Sequence, residues 1–295
     1  MCGPDTDAQP RSVEHVVIVR AFELYGPAMR DACRIEPGTK ASLTGRPTND
    51  RLGIDKGRAQ LELAKLTDRL STLHGRLHAE RSRSVLLVLQ GLDASGKDGT
   101  IRRVFTGLNP QGCDVESFNV PTSTEAAHDF MWRIHQALPA RGDIGIFNRS
   151  HYEDVTAAFV IGAIDDHQRK RRYEHINAFE RMLVDEGTSI VKIFLHVGRD
   201  EQRMRLQSRL DDPEKRWKFD RSDLATRAKW EQYARLYDAA LTATSTPWAP
   251  WYVVPADHKW VSGVAAASIL VHTIEELDPK VPAPKGLLDG IVIDP

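Results

Sequence analysis

The chain has 295 residues, 41% hydrophobic and 27% charged, with 40 basic residues against 41 acidic ones and a formal net charge of −1. That balance belongs to a globular chain able to bury a full core, and it excludes a disordered, collagen-like or disulfide-stapled protein. No bulk charge points to nucleic acid or a membrane surface, so any polyanion site must come from local clustering. Cys2, Cys33 and Cys113 are odd in number, scattered and outside metal-ligand spacing, which reads as free thiols in a reducing cytoplasm. The start, MCGPDTDAQPR, lacks an apolar signal region, and the apolar runs at 85–89 and 189–197 are too short to span a bilayer. A soluble cytoplasmic protein is expected.

Residues 1–50 hold Pro4, Pro10, Pro37, Gly38, Gly45 and Pro47 with little periodicity, so they read as a peripheral arm with room for one short helix. From 56 to 81 the pattern changes. Leu63, Leu66, Leu70, Leu73 and Leu77 recur at spacings of three and four and mark one face of a helix. The stripe permits a homo-oligomer seam, but so few heptads favour packing on the chain's own core. The run VLLVL at 85–89 reads as a strand buried on both faces. Ile101, Val104, Phe105 and Leu108 then share one side of a helix that Asn109-Pro110-Gln111-Gly112 stops. A second strand is expected at 115–120, and Thr122 with Glu125 forms a capping box opening a helix through about residue 138. Further strands at 144–147, 189–197 and 251–254 alternate with helices at 167–186, 200–210, 222–241 and 261–277. The alternation predicts an α/β fold, a parallel sheet covered on both sides, in a single domain over 51–277. Residues 278–295, rich in Pro and Gly, read as a surface tail.

The segment GLDASGK at 91–97 fits G-x-x-x-x-G-K between a buried strand and an amphipathic helix, the context that marks a phosphate-binding P-loop. Gly91 and Gly96 let backbone N–H groups curl round phosphate oxygens, with Ala94 and Ser95 between them. Lys97 adds a full charge to the partial one of the helix N-terminus. The Ser or Thr that usually follows the lysine as a Mg²⁺ ligand is Asp98 here. Asp93 instead puts a carboxylate inside the loop. Beside bound phosphates it is repelled unless a metal intervenes, which argues for Mg²⁺.

After the third strand comes NRSHYED at 148–154, which should face the P-loop because open α/β sheets bind ligands at the carboxyl ends of their strands. Arg149 can fork onto phosphoryl oxygens, and Glu153 and Asp154 could ligate metal or orient an acceptor, Asp154 being as readily a solvated charge. His151 reads as packed or solvent-facing, since transfer between two bound phosphates needs no protein nucleophile. From 199 to 221 lie six arginines with Lys215 and Lys218, against six acids. Arg205 and Arg209 are a turn apart and Asp211-Asp212-Pro213 ends the helix, a pattern that suggests a mobile lid closing over phosphates. With no basic stripe on the chain, nucleic acid is not an expected partner.

Together, GLDASGKDGT at 91–100, NPQG at 109–112, FNRSHYE at 147–153, DDPEKRWKF at 211–219 and TSTPWAPWYVVPADHKW at 244–260 resemble the polyphosphate kinase 2 family. The resemblance runs in matching order from about residue 34 to 277 and is strongest to the third class, the polyphosphate-dependent phosphotransferases of AMP and ADP. It implies a thymidylate-kinase-like P-loop kinase core of three layers, with a helical lid at about 199–221. It also implies Mg²⁺-dependent transfer, reversible in principle, of the terminal phosphate of polyphosphate to adenine or guanine nucleotides, Mn²⁺ being an alternative ion. Carried onto this chain, it makes Asp93, Lys97, Arg149 and Glu153 catalytic, with Asp93 and Glu153 also holding metal. Gly91, Ala94, Ser95, Gly96, Asp98, Arg209, Lys215 and Lys218 would meet phosphates, and Asn109, Arg133 and Asn148 the nucleotide. First-class members resemble D-R-S-x-x-N at the second constellation. This chain has N-R-S-H-Y-E, a carboxylate moved from the strand end to Glu153, as in the third-class pattern. Two alternatives share the P-loop: an ATP-dependent nucleoside-monophosphate kinase and a nucleotide-binding regulator without turnover.

Overall fold

The computed structural model describes residues 27–284, 286, 291 and 293. Cys2, the stretch before residue 27 and most of the tail lie outside the described residues. The strands β1 (Ser84–Gln90), β2 (Cys113–Ser117), β3 (Ile144–Asn148), β4 (Thr188–His196) and β5 (Trp251–Pro255) form a sheet in the order β2-β3-β1-β4-β5. Every pairing is parallel. All seven residues of β1 are buried, and side chains that alternate between two faces achieve this only when both faces are covered.

Residues 27–33 are helical (α1), and α2 (Lys56–Glu80) carries the leucine stripe. Asp55 caps α2, its side chain accepting from Arg58 N. Leu66, Leu70, Leu73 and Leu77 are buried and α2 lies along α11 (Lys259–Leu277), so the stripe packs on the chain's own core. The remaining helices are α3 (Lys97–Phe105), α4 (Ser123–Ala126), α5 (Trp132–Gln136), α6 (Ala157–Val160), α7 (Asp166–Asp185), α8 (Arg199–Asp211), α9 (Arg221–Ala228) and α10 (Trp230–Thr244).

Three elements differ from the sequence reading. The second strand starts at Cys113 and stops at Ser117, because its sole strand partner β3 begins opposite Cys113 and ends opposite Ser117; Val120 is 90% exposed. The capping box of Thr122 and Glu125 forms, but the helix it opens does not run to 138. Asp129 takes Met131 N on its side chain at 2.9 Å and breaks the run into α4 and α5, a local bond competing with the helical one. The helix expected at 222–241 is two, α9 and α10, meeting at Lys229.

The described part of the supposed arm is not peripheral. Met29, Cys33, Ile35, Ala41 and Leu43 are buried, Ile35 N donates to Trp251 O at 2.8 Å, and Arg34 bridges Tyr252 in antiparallel fashion. The segment covers the edge of β5, which would otherwise be left unpaired. After α1, prolines and glycines leave only a short helical turn at Leu43–Gly45, yet they do not stop isolated apolar residues from docking.

One ion pair is sunk in this core. Lys192 of β4 reaches Glu180 Oε2 of α7 at 2.6 Å, Thr244 O at 2.6 Å and the Tyr152 hydroxyl at 3.1 Å. Lys192 and Glu180 are each at most 1% exposed.

Candidate active site

β1 lies at the middle of the sheet with β3 on one side and β4 on the other, so the loop leaving its carboxyl end opens between their two exits. Gly91 begins that loop at φ 151°, and a Cβ there would sit 2.7 Å from Ser95 Oγ and 2.8 Å from the Leu195 carbonyl oxygen. No other residue fits. Gly96 turns into α3 at φ 105° and offers no side-chain cap, leaving the helix N-terminus to an outside anion. Lys97 folds back on its own loop, donating to Gly91 O at 2.8 Å and Leu92 O at 3.4 Å. Burial pushes its pKa below the usual lysine range and Arg149 adds to the push, against the pull of Asp93, Glu153 and Asp98.

The segment after β3 closes on this loop. Arg149 adopts φ 64°, a left-handed backbone that costs a residue with a Cβ about 1–2 kcal/mol. Its N–H donates to Leu89 O at 3.0 Å, and its guanidinium donates to Asp93 Oδ1 at 2.7 Å. Burial opposes the Arg149 charge, but Glu153 and Asp93 outweigh it and hold the pKa above the ordinary arginine value. Asn148 Nδ2 donates to Asp98 Oδ1 at 2.8 Å, tying the strand end to the first turn of α3.

Glu153 is half-buried behind Arg149. With the Gln90 amide turned to satisfy both its ends, its nitrogen donates to Glu153 Oε1 at 3.0 Å and its oxygen accepts from Ser150. The Tyr237 hydroxyl donates to the same carboxylate at 3.4 Å. Burial raises the Glu153 pKa, with Arg149 and Lys97 only partly reversing it. His151 is packed at 1% exposure, its Nε2 3.5 Å from Glu180.

Asp93, Lys97, Arg149, Glu153, Asn148 and Asp98 are thus brought together with Gly91, Ala94, Ser95 and Gly96 of the loop, and the rest of the expected set is spread outward. Asn109 caps the turn at Pro110–Gly112, accepting from Gln111 N at 3.1 Å. Arg133 is buried, donating to Asn119 O at 2.9 Å and Asp154 Oδ2 at 3.4 Å with its guanidinium over Phe118. Asp154 therefore takes part in an internal ion pair. Arg209 donates to Lys218 O at 3.2 Å and to Asp223 Oδ2 at 3.3 Å. Lys215 pairs with Asp212, and Lys218 lies over Trp217.

Sequence reasoning missed the parts that hold the loop. Arg205 of α8 donates to the Ala94 and Ser95 carbonyls at 3.1 and 2.9 Å, to those of Ala256 and Asp257 at 2.6 and 3.0 Å, and to Glu201 at 2.7 Å. It is an internal clamp between the P-loop and the loop after β5. Gln202 beside it, fully buried, donates to Asp93 O at 3.0 Å. The only signal in the sequence was the run of arginines, which does not say which of them face inward.

No group of three or more His, Cys, Asp or Glu side chains gathers to hold a metal among the described residues. Asp93 keeps its Oδ2 free of hydrogen bonds among them while Oδ1 takes Arg149. That donor set fits an ion such as Mg²⁺, which binds through one or two carboxylates and completes its shell with phosphates and water.

Comparison with known proteins agrees with this geometry. A sequence profile of the family described as polyphosphate kinase 2 (PPK2) matches residues 53–282. The chain is similar to the AMP/ADP-polyphosphate phosphotransferase of Meiothermus ruber, 49% identical over 263 residues, 88% of this chain and 98% of that protein. It is 41% identical over 262 residues to the ADP-polyphosphate phosphotransferase of Rhodopseudomonas palustris, 84% of this chain and 91% of that one. The crystal structure of polyphosphate kinase 2 from Arthrobacter aurescens is similar with a TM-score of 0.86 at 38% identity, over 90% of this chain and 95% of that one. A family match over most of the length, relatives aligned nearly end to end and a shared P-loop kinase-like fold make this chain a member of the polyphosphate kinase 2 family.

Proposed function

We propose that the chain transfers the terminal phosphate of inorganic polyphosphate to a nucleoside mono- or diphosphate, taking AMP to ADP and ADP to ATP. The observation that carries this reading is the 2.7 Å pair of Asp93 and Arg149, which draws the P-loop and the segment after β3 around one place. Lys97 and Glu153 stand beside that pair. The relatives' names supply the donor class, which loop geometry alone does not.

Phosphoryl transfer asks the protein for position and charge compensation, with no covalent intermediate. The P-loop and Lys97 hold the donor end, the lysine exchanging the Gly91 and Leu92 carbonyls for phosphate oxygens. Arg149, turned inward by its left-handed backbone, meets charge spreading over the transferred group. Glu153 orients the acceptor from its half-buried position. The segment 199–221 excludes water, so that the nucleotide rather than water takes the phosphate. When bound, Mg²⁺ would neutralise charge on the phosphate oxygens, held on the protein side by Asp93, with Glu153 as the second carboxylate. Near-neutral charge and the free thiols of Cys33 and Cys113 support action in the cytoplasm without nucleic acid. Among the described residues no helix is long and apolar enough to cross a membrane.

The test is nucleotide product formation from AMP and from ADP, each with Mg²⁺ and long-chain polyphosphate, beside a control with ATP as sole donor. Polyphosphate-dependent ADP and ATP are expected. Turnover with ATP alone would make the protein a nucleotide kinase, and silence with both donors a regulator.

A further inference from the structure

Gln90 closes β1, fully buried in the middle of the sheet, one residue before the P-loop begins at Gly91. A buried amide costs free energy unless both of its ends are paired. Its oxygen accepts from Ser150 N and Ser150 Oγ, each at 3.0 Å, and its nitrogen donates to Glu153 Oε1 at 3.0 Å. The orientation is forced, because a backbone N–H only donates and an ionised carboxylate only accepts. Among straight side chains of this length, Met pairs well with neither group, and an ionised Glu or a Lys serves only one of them.

Two features give this bridge a direction. Arg149 N donates to Leu89 O at 3.0 Å and Ser150 N donates to Gln90, so the last two residues of β1 hold both sides of the left-handed Arg149 backbone. The Glu153 carboxylate, by contrast, is gripped at one oxygen. Oε1 takes Gln90 and, at 3.4 Å, the Tyr237 hydroxyl, while Oε2 makes no hydrogen bond among the described residues. Arg149 and Lys97 both feel this carboxylate. Left untethered, it would swing onto one of them in a charge-assisted pair and neutralise charge that phosphate needs.

We propose that Gln90 is a positioning residue for the transfer. It holds Glu153 by one oxygen, so that the other stays turned to the acceptor while Arg149 and Lys97 stay free for phosphate. The proposal rests on the functional reading above. Gln90 has no exposed surface, and its effect on turnover passes through Glu153.

The test measures kcat and KM with ADP and long-chain polyphosphate for the wild type, Gln90→Met, Glu153→Gln and the double variant. Gln90→Met should lower kcat about 10- to 100-fold, the cost of a misplaced group at the reacting centre. KM for polyphosphate should stay within about twofold of wild type, because the P-loop keeps its own contacts. In the Glu153→Gln background the same change should cost less than about twofold, since no charge is left there to hold. A loss of general packing would lower both backgrounds alike. Where thermal melts show that Gln90→Met does not fold, Gln90→Asn, whose amide stops one methylene short of Glu153, carries the same comparison. Wild-type kinetics in the Gln90 variant, or an equal loss in both backgrounds, overturns the proposal. A higher KM for polyphosphate at unchanged kcat assigns Gln90 to the P-loop and also overturns it. A wild type inactive with every polyphosphate would sink the functional reading itself, an outcome distinct from an active wild type with an unaffected variant.

Discussion

At the scale of single residues, the centre of the site holds charge where burial disfavours it. Glu153 is held neutral more readily in the folded chain than in the unfolded one, because burial outweighs Arg149 and Lys97. Its folded pKa is raised, so the fold binds that proton more tightly. Stability is therefore lost as pH rises from the ordinary carboxylate range through the raised value. Glu153→Gln keeps the acceptor for Gln90 and Tyr237 but removes the charge. Its stability relative to wild type should grow over that window and then level off, while transfer activity falls. Thermal melts of both proteins from about pH 4 to pH 8 check this; a difference independent of pH would show that Glu153 is not the strained group. Lys97 carries the complementary load, and Lys97→Ala should lower kcat on the order of 10²–10³, by analogy with losing one transition-state donor. Near-full activity in that variant would remove it from the mechanism. The residues legible in the sequence here are those set by local backbone chemistry: Gly91, Gly96, Lys97 and the Asp93 that interrupts the loop. Arg205 was not legible as a clamp, because the carbonyls it binds come from 94–95 and 256–257 and meet only in the fold.

At the scale of elements, strand positions followed from short branched runs, since β1, β3, β4 and β5 have both neighbours and core to satisfy. The edge strand β2 and the break at Asp129 depended on pairing length and one side-chain bond, which periodicity does not register. Two tethers then decide how the elements hold together. Lys192→Met should cost about 3–5 kcal/mol, because Glu180 is left buried without its cation. Adding Glu180→Leu should recover a large part of that loss, since an apolar pair replaces a broken ionic one. Urea denaturation of the single and double variants reads the difference, and a double variant weaker than the single one would contradict the argument. The second tether is Arg205, whose planar fork serves four carbonyls at once. A lysine there cannot, so Arg205→Lys should cost about 2–3 kcal/mol and lower kcat together, by freeing the P-loop from α8. A variant with wild-type stability and turnover would show that the clamp is dispensable.

At the scale of the whole molecule, a chain of net charge −1 has to recruit a polyanion, and it does so by distribution. Lys97, Arg149, Arg205 and Lys259 lie near the carboxyl edge of the sheet, and each of them enters the electrostatics of another. Acids that compensate them are mostly tied up in pairs, as Asp93 is with Arg149 and Glu201 with Arg205. The remaining field is short in range. Raising ionic strength from about 0.05 M to about 0.3 M shortens the Debye length from roughly 14 Å to roughly 6 Å, less than the reach of a chain that passes the P-loop and continues beyond it. Contacts inside the loop are shielded from salt by burial, whereas contacts along an exposed track are not. The expected result is a several-fold rise in KM for long-chain polyphosphate across that range, a smaller rise for ADP and little change in kcat. Steady-state kinetics at matched free Mg²⁺ make the comparison. An equal response from both substrates would place all the relevant charge at the transfer centre. A steeper response from polyphosphate means that the protein reads its donor along its length, with local clusters supplying what the net charge does not.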